Sequence, residues 1–155
     1  MSKIDILKKM NLVCWSSLLM GYRKKWISKS DIDDYVTSIM LGGCYSDTNI
    51  ACLANANNLS DVEVDELLLC VAQQTGVDKQ SSLDKWRLAT LIELNDSNQS
   101  DVEKIDKLQE LYADFEYPED MASCSIYSQD SIDPLLAMKK IIESLSNKLK
   151  TAGDG

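Results

Sequence analysis

LSDVEVDELLLCVAQQTG, residues 59–76, decides the fold class of this chain. Ser60 and Glu63 have the spacing of a capping box, in which each side chain bonds the backbone N–H of the other residue and a helix begins. Apolar residues then recur at helical intervals as far as Gly76, a residue suited to ending a helix. Residues 61–65 alternate between polar and apolar in the manner of a strand, but they lie inside this capped segment. The segment is therefore predicted to be a helix.

Further helices are predicted on both sides of this segment, because polar caps open them and glycine, asparagine or proline closes them. Their expected positions are residues 3–20, with a possible break near Asn11 and Gly21 as the ending residue; Ser28 to Gly42-Gly43; Ser46 or Asp47 to Ala54; residues 82–94; residues 101–115; and residues 134–149 behind an Asp133 cap. No sustained strand-type alternation occurs elsewhere. The sequence therefore predicts an all-α fold of about seven helices with little or no sheet.

These helices are expected to form one irregular bundle. A chain of 155 residues has the length of one ordinary domain. The predicted helix starts are unevenly spaced and share no consensus, which disfavours a repeat architecture. A short array of stacked helical hairpins stays open as the alternative. We expect a single helical domain over residues 1–150 and a frayed tail over residues 151–155.

Composition indicates a reducing compartment and no membrane segment. Hydrophobic residues make up 45% and charged residues 26% of the chain, which is typical of a globular protein. No apolar run approaches the roughly 20 residues of a membrane span, and we expect no signal peptide. The five cysteines are an odd number, and most lie in apolar helical stretches where a thiol packs as a small hydrophobe. The expected location is therefore the cytoplasm.

Charge is segregated along the sequence. Residues 1–29 carry a net charge of +6, whereas residues 30–78 hold nine acidic residues and no basic one. The net charge of the whole chain is −9. A second window, residues 108–138, also lacks lysine and arginine. Fields of this kind repel nucleic acid and attract cationic partners. A solvated surface that only maintains solubility is the alternative interpretation.

Several kinds of catalytic and metal-binding chemistry are excluded by what the sequence lacks. Without histidine, Ser-His and Cys-His triads cannot be built, and the commonest metal ligand is missing. No cysteine pair has the spacing of a zinc site, and no glycine-rich phosphate loop is present. A calcium loop starting at Asp96 fails because Asp101 and Lys107 stand where glycine and glutamate are required. We expect no enzyme, no cofactor and no metal site.

The remaining acidic and aromatic clusters each have a simpler structural interpretation. Carboxylates at residues 31–34 and 61–66 could support acid–base chemistry or a two-metal site, but carboxylates in a first helical turn already complement the helix dipole. Trp15 and Trp86 fall on apolar helical faces and are expected in the core. Trp26 follows a basic run and could contact nucleic acid; packing under the next helix is the favoured interpretation.

Two stretches of the chain resemble a known family. WSSLLMGYRKKWISKSDI, residues 15–32, is similar to an opening in which an aromatic helix, a glycine and Trp-Ile-Ser lead into an acidic helix. LYADFEYPEDM, residues 111–121, resembles a Tyr-x-x-Phe-x-Tyr-Pro-Glu element late in such chains. Both are features of small helical bacterial proteins associated with polymorphic-toxin loci, which act as immunity proteins. The chain departs from this pattern in the short polar segment 122–129.

The resemblance implies a protein that binds and neutralises a cognate toxin domain by occluding it, without catalysis. Many toxin domains are nucleases with basic clefts, which an acidic helical surface would complement. The partner is expected to be a basic toxin domain, with no nucleic acid or membrane partner, and the oligomeric state stays open. A non-toxin interaction protein or regulatory adaptor is the alternative, and a hydrolase built on carboxylates alone is a third class. The candidate partner-binding residues are Asp61, Glu63, Asp65, Glu66, Asp114, Glu116, Tyr117, Glu119 and Asp120.

Overall fold

The computed structural model describes residues 2–41, 48–116, 118, 119, 121 and 133–153. Within these residues it contains eight α-helices, one 3-10 helix and no strand, so the all-α prediction is confirmed. The elements in chain order are α1 (Lys3–Lys9), α2 (Trp15–Arg23), α3 (Lys29–Leu41), α4 (Thr48–Leu53), the 3-10 helix Ala56–Asn58, α5 (Asp61–Thr75), α6 (Lys79–Asn95), α7 (Asp101–Asp114) and α8 (Pro134–Gly153).

The predicted first helix is two helices, with the break at Asn11. Asn11 has a φ of 59°, and the Leu12 amide donates to the Leu7 carbonyl at 2.9 Å. This is the bonding of a Schellman motif, which lets a helix end while its last carbonyls stay satisfied. Leu7 and Leu12 are both buried, so the turn closes over apolar contact. This break brings the count from the predicted seven helices to eight.

The prediction that Gly21 ends α2 is wrong. Gly21 is buried inside the helix, and the left-handed residue is Lys25, whose φ is 63°. The amides of Lys25 and Trp26 donate to the carbonyls of Tyr22 and Gly21 at 3.1 and 2.8 Å, again a Schellman pattern. The turn comes where the chain must bend so that Ile27 becomes buried, and this tertiary requirement overrides the local preference for glycine.

Of two predicted capping boxes, the one at Ser28 has both of its hydrogen bonds and the one at Ser60 has one among the described residues. The Ser28 amide donates to the Asp31 carboxylate at 2.9 Å, and the Asp31 amide donates to Ser28 Oγ at 3.3 Å, so this capping box is complete. Ser60 Oγ accepts from the Glu63 amide at 3.2 Å, but among the described residues no bond returns from the Glu63 carboxylate. Gly76 ends α5 with a φ of 101°, as predicted.

Helix α6 begins earlier than predicted. It starts at Lys79, whereas the sequence indicates a start near Ser82. The Asp78 carboxylate accepts from the Ser81 amide at 3.0 Å and so acts as the cap. The Asp78 amide is in turn held by Ser16 Oγ at 3.2 Å, which gives the cap a fixed position.

The chain divides into two compact units. One is the central unit, Val13–Leu83, and the other is the terminal unit, which comprises Met1–Leu12 and Asp84–Gly155. The boundaries fall between α1 and α2 and within α6. A single domain over residues 1–150 and a frayed tail over residues 151–155 stay predictions.

In the central unit, α2 and α4 pack against α5, and α3 packs against α4 and the 3-10 helix. Trp15 is buried, as predicted, and its ring lies edge-on to Tyr35 of α3 with centroids 5.7 Å apart. Burial of such aromatic and aliphatic side chains supplies the main driving force for folding. The fully buried aliphatic residues of this unit include Leu18, Ile32, Val36, Leu53, Val64 and Leu68.

The terminal unit is organised around α6, α7 and α8, and α7 packs against α8. Trp86 is fully buried, which confirms its predicted place in the core. Asp84 and Arg87 are also buried, and their side chains pair at 3.2 Å. Lys148 of α8 donates to the other oxygen of Asp84 at 3.1 Å. The unit therefore encloses charged groups as well as apolar ones.

Among the described helices, none is both long and apolar enough to cross a bilayer. Among the described residues, Cys14, Cys52 and Cys70 are not joined in disulfides. Cys44 and Cys124 lie outside the described residues.

Candidate functional site

The first group of predicted site residues lies in the first two turns of α5, in the central unit. Asp61 and Asp65 are four residues apart and therefore share one face of the helix. Both bond to residues of α2, whereas the exposed side chains of Glu63 and Glu66 have no ion-pair or hydrogen-bond partner among the described residues. The structure therefore separates four carboxylates that the sequence presents as one group.

Asp65 forms a two-pronged ion pair with Arg23 of α2. Arg23 Nε donates to Asp65 Oδ1 at 2.7 Å, and Arg23 NH2 donates to Oδ2 at 3.1 Å. The hydrogen bonds from the guanidinium hold the pKa of the Asp65 carboxyl below its usual value. The pair is partly exposed, so its main effect is to fix the geometry of the two helices, with a modest contribution to stability.

Asp61 is held by two groups that flank the α2–α3 turn. The Tyr22 hydroxyl donates to Asp61 Oδ1 at 2.6 Å, and Lys29 Nζ lies 3.3 Å from the same oxygen. The bonds from Tyr22 and then Lys29 lower the pKa of Asp61. Partial burial, followed by the bond to the Asp61 carboxylate, raises the pKa of Tyr22 to about 12. Lys29 Nζ also donates to the Leu59 carbonyl at 2.7 Å, and this bond ties α3 to the residues before α5.

These contacts enclose an open groove of about 840 Å³, here called the α5 groove. One side comes from the α2–α3 turn and the other from the start of α5. Its lining residues are Tyr22, Arg23, Lys25, Ile27, Ser28, Lys29, Ser30, Asn57, Asp61, Val62, Asp65 and Glu66.

Three exposed side chains of the α5 groove take part in no ion pair or hydrogen bond between described residues, although the charge of Lys25 contributes to lowering the pKa of Asp61. Lys25 is exposed and, among the described residues, makes no ion pair. Glu66, on the α5 side of the groove, is also exposed and makes no ion pair among the described residues. Val62, which lies between Asp61 and Glu63 in the sequence, is 66% exposed. Val102 is 70% exposed at the matching position of α7, so the exposure of Val62 alone does not mark a site. What is particular to Val62 is that it lines the α5 groove together with charged side chains.

The second group of predicted site residues belongs to the terminal unit. Asp114, Glu116 and Glu119 are all exposed. Glu116 has a φ of 63°, and its amide donates to the Ala113 carbonyl at 3.0 Å as α7 ends. Tyr117 and Asp120 lie outside the described residues. The two groups thus belong to different units, and their role in partner binding stays a prediction.

The turn at Asp96 is a helix connection, as the failed calcium-loop match predicts. The Asp96 amide donates to the Ile92 carbonyl at 2.9 Å, and Ser97 Oγ donates to the Leu94 carbonyl at 2.7 Å. Asp96 and Ser97 also line a smaller groove of about 430 Å³ in the terminal unit, beside Lys9. Within the residues that the structure describes, no three cysteine or carboxylate side chains come together as a metal site.

Comparison with known proteins gives one match. A family model, DUF2247, covers residues 4–152, and its description reads "uncharacterized protein conserved in bacteria". The chain belongs to the DUF2247 family. The match spans both units of the structure. No curated protein and no solved structure matches the chain.

Sequence reasoning missed Tyr22, Arg23 and Lys29 as parts of the α5 groove. The basic run at residues 23–25 was the available signal, since it is the positive counterpart of the lysine-free window that follows. That signal does not say which cation meets which carboxylate. The pairs join residues 39 and 42 positions apart, and only the packing of α2 on α5 brings them together.

Proposed function

We propose that this DUF2247 chain is an immunity-type protein that binds a cognate bacterial toxin domain and neutralises it by occlusion. The resemblance of residues 15–32 and 111–121 to proteins of polymorphic-toxin loci motivates the proposal. In it the protein acts in the cytoplasm, without catalysis, and its partner is a basic protein domain.

The observation that carries the proposal is the exposed edge of α5. Val62 stands open to solvent between Asp61 and Glu63, and Glu66 follows one turn later. An apolar side chain that becomes buried on binding can act as an anchor, and surrounding charges mainly set the rate and the specificity of association. The α5 groove beside this edge offers the concave surface into which a partner side chain could fit.

The charge of the chain supports a basic partner. Residues 30–78, which include α4, α5 and all of α3 except its first residue Lys29, contain no lysine or arginine. After the internal pairing of Asp61 and Asp65, the exposed carboxylates Glu63 and Glu66 keep the outer side of α5 negative. A toxin domain with a cationic substrate cleft would be attracted to this side over a distance of about one Debye length, roughly 8 Å at physiological salt.

Co-expression tests the proposal. The predicted toxin is the variable carboxy-terminal domain encoded in the reading frame next to the gene for this chain. Cells that produce this domain should stop growing, and they should grow again when the full chain is produced with it. The control is a toxin domain from an unrelated locus, against which the chain should not protect. A soluble, folded chain that gives no protection against the neighbouring toxin would end the proposal.

The adaptor alternative differs in its gene neighbourhood. An immunity protein must be encoded beside a large secreted protein with a variable carboxy-terminal domain. If the neighbouring genes form an unrelated metabolic operon, a regulatory adaptor that uses the same surface becomes the better account.

A further inference from the structure

We propose that the α5 groove binds an amphipathic segment of the partner in one fixed orientation. An apolar side chain of this segment packs on Val62 and Ile27, a lysine or arginine meets Glu66, and a carboxylate meets Lys25. This inference rests on the proposed function and adds to it the place and the chemistry of the contact.

Most charges of the groove already pair with one another inside the protein. Six charged residues line the groove, three of each sign. Arg23 forms an ion pair with Asp65. Lys29 forms an ion pair with Asp61 and donates a hydrogen bond to the Leu59 carbonyl. Among the described residues, the cation of the groove without an ion pair is Lys25, which acts on Asp61 only through its charge, and the anion without one is Glu66. The overall acidity of the chain therefore does not describe this groove, which presents one available charge of each sign.

The charges of Lys25 and Glu66 come from different elements. Lys25 belongs to the turn between α2 and α3, and Glu66 belongs to α5. A partner segment with one acidic and one basic side chain can satisfy both in only one direction, because the reversed direction would place like charges together. The groove therefore selects orientation as well as charge.

Ile27 and Val62 offer an apolar contact in the groove. Ile27 is 6% exposed and lines the groove as part of the core, whereas Val62 is 66% exposed. An exposed valine also occurs at the matching position of α7, where Val102 is 70% exposed, so the argument rests on the place of Val62 in the groove beside Ile27. A partner side chain placed over Val62 and against Ile27 would remove this surface from water.

The backbone at Lys25 agrees with this assignment. The left-handed conformation at that position suits glycine or asparagine, and a lysine there is strained. Such strain is common where a side chain has a task in binding. It fixes the backbone from which the Lys25 side chain leaves the turn.

The test uses the purified full-length chain and the neighbouring toxin domain, with dissociation constants from calorimetry. Glu66→Lys and Lys25→Glu should each weaken binding by at least about tenfold, because each sets like charges together in the complex. The two changes move net charge in opposite directions. General attraction between an acidic chain and a basic domain would be strengthened by Lys25→Glu, so weakening by this variant is specific to the groove.

Matched controls lie on α8. Glu143→Lys and Lys139→Glu make the same changes of charge at exposed positions of the terminal unit. They report the effect of net charge alone, which we expect to stay within about threefold. Thermal unfolding verifies that each variant is folded, and Lys25→Gln replaces Lys25→Glu if the latter is not.

The outcomes separate the two proposals. If wild-type chain binds the toxin domain and Lys25→Glu binds as tightly or more tightly, the groove assignment is overturned and the immunity function stands. If wild-type chain neither binds nor protects, both fall. If light scattering shows a wild-type dimer that Lys25→Glu dissociates, the groove belongs to a second copy of this chain, and the assignment to a partner is overturned.

Discussion

Arginine–aspartate pairs occur in two contrasting environments in this protein. In the terminal unit, Asp84 and Arg87 are 2% and 5% exposed, and Lys148 reaches the same carboxylate. In the central unit, Arg23 and Asp65 meet at the surface with better geometry, two bonds of 2.7 and 3.1 Å. Geometry alone would rank the surface pair as the stronger one. Burial reverses the order, because a buried charge that loses its partner has no water to replace it.

The comparison separates charges that maintain the fold from charges that shape a surface. Release of Asp84 would take its carboxylate away from the buried guanidinium of Arg87. Arg23 and Asp65 can each be solvated when they separate, so the protein can keep or lose this pair at little cost. Charged residues beside the α5 groove are therefore free to be tuned for a partner, whereas those around Asp84 are not.

The largest expected effect is at the buried pair. Asp84→Ala should lower the free energy of unfolding by about 3–5 kcal/mol, since it removes a buried carboxylate that is paired with a buried guanidinium. Urea denaturation measures this effect. Lys148→Met is the control, because Lys148 is 63% exposed, and it should lower stability by less than about 1 kcal/mol. Equal losses for the two variants would contradict the distinction between buried and exposed pairs.

The next effect is a gain in stability at the edge of the α5 groove. Lys25→Gly removes the strain of a left-handed lysine and should raise the free energy of unfolding by about 1 kcal/mol. Asn11→Gly is the matched control, since asparagine tolerates the same conformation and should gain less. If Lys25 serves a partner, Lys25→Gly should also weaken toxin binding. A variant that is less stable would show that the lysine side chain has a structural role.

A smaller effect is expected at the surface pair. A double-mutant cycle with Arg23→Ala and Asp65→Ala should give a coupling energy below about 1 kcal/mol, decreasing as salt is raised. Urea denaturation at low and high salt measures it. A coupling energy near that of the buried pair would place Arg23 and Asp65 among the groups that maintain the fold.

The smallest effect is a titration in alkali. The pKa of Tyr22 is raised from 10.0 to about 12 in the folded protein, so folding favours the neutral phenol. The stability from this group is therefore complete below pH 10 and is lost as the pH rises through about 12. Tyrosinate absorbance of wild type minus Tyr22→Phe should show one late ionisation near pH 12. An ionisation near pH 10 in this difference spectrum would mean that neither the partial burial of Tyr22 nor its bond to Asp61 persists in solution.

Local signals in the sequence predicted most of the fold. The caps at Ser28 and Ser60, the end of α5 at Gly76, and the buried Trp15 and Trp86 follow from residues a few positions apart. Such features depend on hydrogen bonds and periodicity within one helix, which a single sequence displays directly.

The site depends on contacts that local signals do not contain. The four acidic residues of α5 look alike in the sequence, and only the packing of α2 decides that Asp61 and Asp65 are paired while Glu63 and Glu66 are not. The left-handed residue after α2 is likewise Lys25 and not Gly21, because the chain turns where Ile27 becomes buried. Tertiary packing selects among several locally acceptable arrangements, so these choices appear only in the folded chain.

The most direct test of this account is hydrogen exchange of the chain, free and mixed with the neighbouring toxin domain. The α5 groove predicts that amides in residues 22–30 and 61–66 exchange more slowly in the complex, because the partner segment covers these two stretches. The terminal unit provides the internal reference in the same measurement. A complex that protects other residues, while 22–30 and 61–66 exchange as in the free chain, would contradict the central claim.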